Sequence, residues 1–111
     1  MTKDKVEVHA GSGNVFADLE LPDPDGLLLK SGIVIELQKL IKDRGLTQVK
    51  AAKLLSISQP DLSRLLRGDF ADYSAERLMK MLTVFEQDIE IVMRPHGKAG
   101  KSGTITFKPA A

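Results

Sequence analysis

Two glutamines, three serines and two arginines punctuate the stretch Leu46–Gly68, LTQVKAAKLLSISQPDLSRLLRG. Gln48 follows Thr47, and Gln59 follows Ser58. Thr and Ser are favoured helix N-caps, so each glutamine stands at the start of a short helix. Free backbone N–H groups there, with an amide side chain beside them, suit an anionic phosphate. An amide can also pair with both N6 and N7 of adenine. Ser63 and Arg64 come one helical turn after Gln59, on the same outward face. Arginine can meet guanine O6 and N7, or a phosphate, and a good bidentate base contact is worth roughly 1–3 kcal/mol of discrimination. Lys53 and Arg67 flank the set as phosphate partners, and Asp61 places a carboxylate near a helix N-terminus, where the dipole favours it. The candidate set is therefore Thr47, Gln48, Lys53, Ser58, Gln59, Asp61, Ser63, Arg64 and Arg67. Its chemistry is hydrogen-bonded reading of nucleic-acid bases, with phosphates as anchors.

Two helices must hold these side chains. The spacing predicts one over QVKAAKLL and a second from Gln59 towards Gly68, with Pro60 in its first turn, where a missing N–H costs little. Ala51 and Ala52 allow close crossing, while Leu55, Ile57, Leu62 and Leu65 pin the pair from below. A tight turn between two such helices is the helix-turn-helix arrangement, whose second helix enters the major groove. An ordinary core hairpin would not explain an exposed Gln/Ser/Arg face after a Ser cap.

Around this pair, Leu27, Val34, Leu37, Leu40 and Ile41 predict a longer helix from about Asp25, stopped by Gly45 with Leu46 folding back. Ser74 caps a further helix, AERLMKMLTVFEQ, with Leu78, Met81, Leu82 and Phe85 on one stripe. Met79, Met81 and Met93 read as core filler. Ile89, Ile91 and Met93 alternate with charged or apolar neighbours as in a strand, and residues 5–9 and 104–107 could form short strands too. Pro22 and Pro24 keep the chain before the first helix extended. The expected organisation is an arm over 1–22, a helical domain over 23–88, and a strand and tail over 89–111, the last a candidate dimerisation element.

Composition narrows the alternatives. The 111 residues are 42% hydrophobic and 28% charged, as in one ordinary globular domain. Absence of cysteine excludes disulfides and thiol chemistry. No run approaches the ~18 apolar residues of a membrane span, and the opening MTKDKVEVHAGSG has no apolar signal core, so a cytoplasmic protein without membrane attachment is expected. The net charge is +1, but residues 1–38 carry three basic and seven acidic groups, and residues 39–68 carry seven basic and two acidic. A basic middle is a candidate polyanion footprint, although Lys39, Lys42 and Lys50 read as solvated surface. Gly11-Ser12-Gly13 lacks the third glycine of a dinucleotide loop, since Phe16 stands there. His9 and His96 have no metal-ligand spacing, and no nucleophile stands with a base. No enzyme, cofactor or metal is expected.

The pattern LTQ…A…ISQ…LSRLLRG closely resembles the Xre/Cro-type helix-turn-helix of phage repressors. That resemblance implies phosphate anchoring by Gln48 and base reading by Gln59, Ser63 and Arg64. Ser56 stands where the family usually has a turn glycine, which implies backbone strain, and Pro60 replaces a residue that often reads bases. The implied fold is mainly α, a lambda-repressor-like bundle of four to five helices with a small C-terminal β element. With the arm GSGNVFADLELPDPDG and the tail FEQDIEIVMRP, residues 11–95 also look like small Xre-type antitoxins of the HigA kind. This second resemblance implies a homodimeric repressor on a palindromic double-stranded DNA operator, a strand near 89–94 pairing across the two-fold axis, and an RNA-cleaving toxin partner of the RelE superfamily. Two other readings stand beside it: a stand-alone repressor without a toxin, and a protein-interaction module on the same scaffold with weak DNA binding.

Overall fold

The computed structural model describes residues 14–21 and 23–110, so the strand expected over residues 5–9 lies outside the described residues. Among the described residues five helices follow in order: α1 (Val15–Asp18), α2 (Pro24–Asp43), α3 (Gln48–Leu55), α4 (Gln59–Leu66) and α5 (Ala75–Val84). α2 is the central post. It packs against α1, α4 and α5, while α3 packs against α4 and α5. Its buried residues Ile33, Val34, Leu37 and Ile41 fall on one face, and Leu27 and Leu40 are partly buried beside them. The stripe Leu78, Met81, Leu82 and Phe85 is buried as expected.

The helix ends follow local chemistry. Thr47, Ser58 and Ser74 accept from the backbone N–H of Lys50, Asp61 and Arg77 at 3.2, 3.1 and 3.0 Å. Each such cap is worth about 1 kcal/mol. Gly45, at φ 64°, ends α2 with its N–H on Lys42 and the N–H of Leu46 on Ile41. α3 ends with the same bond pattern, Ser56 N–H to Lys53 and Ile57 N–H to Ala52, but with serine at φ 59°. The departure from glycine noted in the sequence is thus a left-handed serine. α5 stops at Val84, short of the Gln87 expected, with Phe85 at its C-terminal cap.

Packing reaches beyond residues 23–88 at both ends. Asn14 is buried; its carboxamide oxygen caps α1, and its Nδ2 donates to the Pro24 carbonyl and the Asp25 carboxylate at 3.1 and 2.9 Å. Phe16 meets Phe70 edge-on at 6.4 Å. The described end of the expected arm is therefore docked on the domain, and it is not extended as expected: residues 15–18 form α1, and Pro24 opens α2, where a missing N–H costs little. At the other end Ile89 and Phe107 rest on the core, Phe107 against Gly32.

Two expectations for the C-terminal region are corrected. Among the described residues there is no strand, so neither 89–94 nor 104–107 forms the small β element. An alternating pattern makes a strand only when a second backbone supplies the ladder, and Ile91, Val92, Met93 and Ile105 are instead 84%, 75%, 95% and 80% exposed. Met93 is accordingly not core filler, although Met81 is buried and Met79 partly so. No helix among the described residues is long and apolar enough to cross a membrane.

Candidate nucleic-acid interface

α3 and α4 cross through small and apolar residues. Ala51, Ala52 and Leu55 of α3 and Leu62 and Leu65 of α4 are all buried. This leaves the start of each helix and the outer side of α4 facing solvent. Two further contacts fix α4. Gln38 of α2 donates its Nε2 to the Leu66 carbonyl, satisfying an acceptor at the C-terminal end of α4. Arg67 caps the same end through its own N–H, which bonds to Ser63 and Arg64. The role of Gln38 was not legible in the sequence, because it joins residues far apart in the chain.

The two glutamines meet. Gln59 Nε2 donates to Gln48 Oε1 at 2.8 Å, tying the N-terminal end of α4 to that of α3. The remaining groups are well matched to their expected partners. Gln59 retains one N–H donor and its carbonyl acceptor, the complement of adenine N7 and N6. Gln48 retains its NH₂, a donor for a phosphate oxygen. Thr47 and Ser58 are exposed, and each hydroxyl oxygen accepts a capping bond while its proton stays available to donate.

Along α4 the outward residues are Gln59, Pro60, Arg64 and Arg67, with Ser63 half-buried beside them. Arg64 forms an ion pair with Asp61 one turn earlier. The i,i+3 spacing could have announced this pair in the sequence. Pro60 lends its ring to the middle of this face and offers no donor. Lys53 is exposed but projects from α3 on the side opposite the buried Ala51, Ala52 and Leu55 row, so no bond joins it to the glutamines. One cation of the basic middle has a different task. Arg44 Nη2 donates to the Phe85 carbonyl at 2.7 Å and to Glu86 at 2.9 Å, and the guanidinium lies over the Phe85 ring. His96 is exposed; His9 lies outside the described residues.

Comparison with known proteins agrees with this fold. The profile of a family described as a helix-turn-helix domain matches residues 15–94. A solved structure described provisionally as an XRE family transcriptional regulator is 32% identical, with a TM-score of 0.73. The match covers 80% of this chain and 100% of that one. No curated protein matches the chain.

Proposed function

The chain belongs to the helix-turn-helix family of XRE-type regulators, and from that premise we propose that it is a sequence-specific repressor acting as a homodimer on a palindromic operator. α4 enters the major groove, Gln59, Ser63 and Arg64 read base edges, and Thr47, Gln48, Ser58 and Arg67 hold phosphates, while Lys53, on the far side of α3, adds only its charge. The observation that carries this reading is the Gln59–Gln48 bond, which aims two amides outward from the starts of two crossed helices. A second copy supplies the two-fold symmetry of the operator. The exposed Ile91, Val92 and Met93, which belong to no helix or strand among the described residues, support a dimer contact there.

The reading extends to an antitoxin that silences its own operon and neutralises an RNA-cleaving toxin of the RelE superfamily. The surface around α1 and the start of α2 favours it. Val15, Leu19, Leu21 and Leu28 are 45%, 64%, 40% and 42% exposed. Asp18, Glu20, Asp23 and Asp25 are interspersed with them, and no Lys or Arg stands between Lys5 and Lys30. An apolar and acidic surface complements an RNA-binding enzyme, whose own site must be basic.

Fluorescence anisotropy tests the DNA reading, with duplex from just upstream of the protein's gene and a scrambled duplex as control. Selective binding that weakens steeply between about 50 and 200 mM salt, through counterion release, is expected. Equal, weak and salt-insensitive binding to both duplexes would favour the interaction-module reading instead. Co-purification with the product of the adjacent gene tests the antitoxin role.

A further inference from the structure

Asp61 is the single carboxylate on α4, and it borders the face that carries Gln59, Ser63 and Arg64. On a surface built for a polyanion, a carboxylate works against affinity. Its partner explains its presence. Asp61 pairs with Arg64 Nη2 one turn further along the helix. We propose that Asp61 is a positioning residue for base recognition, holding the Arg64 guanidinium for guanine and away from the nearest phosphate. This inference rests on the docking of α4 proposed above.

Three physical points lead there. An unrestrained surface arginine samples many rotamers, and any phosphate satisfies it without carrying sequence information. Pairing with Asp61 offsets its charge, so directional hydrogen bonding outweighs attraction to the backbone. The pair takes one N–H and leaves the other donors of the five-donor fork for O6 and N7. In free protein the two side chains are half exposed, at 51% and 48%, and an exposed pair orients weakly. Once DNA covers α4 and excludes water, the same pair strengthens. The device therefore acts in the complex, where discrimination is decided. It also selects against wrong sequences: where guanine is missing, a carboxylate faces the DNA without gaining a base contact.

The test uses the full chain as wild type, Asp61→Asn, Asp61→Glu and Arg64→Ala. Each is selected on a randomised duplex library, with the bound DNA sequenced, and then titrated against a random duplex. Wild type is expected to enrich guanine at one position of each half-site, and Arg64→Ala to lose that preference. Asp61→Asn should lower it about fivefold to tenfold, keep the preference read by Gln59, and bind the random duplex more tightly. Asp61→Glu should recover part of the guanine preference. Guanine preference intact in Asp61→Asn would overturn the proposal. So would a uniform loss of affinity for selected and random duplexes, which marks a merely structural role. A wild type that enriches no sequence would overturn the DNA-reading proposal beneath it, and is distinguished from the other failures by that absence of enrichment.

Discussion

Replacing Ser56 by glycine should stabilise the domain, and the reason lies in one backbone angle. Ser56 ends α3 in the left-handed region at φ 59°, ψ 38°, where Gly45 ends α2 with the same pair of backbone bonds. A side chain in that region crowds the following carbonyl at a cost of roughly 1–2 kcal/mol. Glycine removes the crowding but loses more chain entropy on folding, an offset of about 0.5–1 kcal/mol. The expected net gain is about 0.5–1 kcal/mol, which in a domain of this size raises Tm by roughly 2–8 °C. Gly45→Ala is the reciprocal experiment. A Cβ there would meet nothing within 4 Å, so any loss reports φ strain without a steric clash. It should lower Tm by a similar amount. Thermal unfolding by circular dichroism reads both variants. Their DNA affinity should hold at a temperature where both stay folded, since neither side chain belongs to the proposed reading face. A Ser56→Gly variant with unchanged or lower Tm would refute the strain reasoning, above all if Gly45→Ala were also neutral.

Other consequences follow from single contacts. Arg44→Ala removes the bond to the Phe85 carbonyl and the stacking on its ring, and should destabilise by about 1–2 kcal/mol in chemical denaturation while leaving the salt dependence of DNA binding unchanged. Gly32→Ala should stabilise α2 by about 0.5–1 kcal/mol, because its Cβ would lie at ordinary contact distance, 3.5 Å, from the Phe107 ring; a lower Tm would mean that Phe107 cannot accommodate it. Gln48→Ala should weaken operator and random duplex alike in anisotropy titrations, whereas Gln59→Ala should weaken the operator more and relax its preference for adenine. The bond between the two amides makes them a coupled pair, so the double variant should lose less than the sum of the single losses.

Local chemistry made much of this molecule legible in the sequence. Thr47, Ser58 and Ser74 cap helices because a hydroxyl reaches an N–H three residues on, a distance independent of the rest of the fold. The apolar faces of α4 and α5 follow from helical period alone. The failures are non-local. Ile89, Ile91 and Met93 alternate as a strand does, but a strand also needs a neighbouring backbone, and periodicity cannot supply one. Asn14 falls in the expected arm, outside the helical domain, yet contacts with Pro24 and Asp25 bury it. At the candidate site, residue types and caps announced that Gln48, Gln59, Arg64 and Arg67 face outward, whereas Ser63, expected on the same face, is half-buried. The Gln48–Gln59 bond and the Gln38 clamp required the crossing of helices to be known.

The most direct test of the central claim asks which groove α4 occupies. Dimethyl sulfate methylates guanine N7 in the major groove, so protection of guanines on a bound operator reports entry there. Two protected clusters about 34 Å apart along the duplex, matching two recognition helices on successive major grooves, are expected. Their guanines should lose protection in Arg64→Ala. A tightly bound operator with every guanine N7 still reactive would contradict major-groove reading by Arg64 and place the interface elsewhere on the protein.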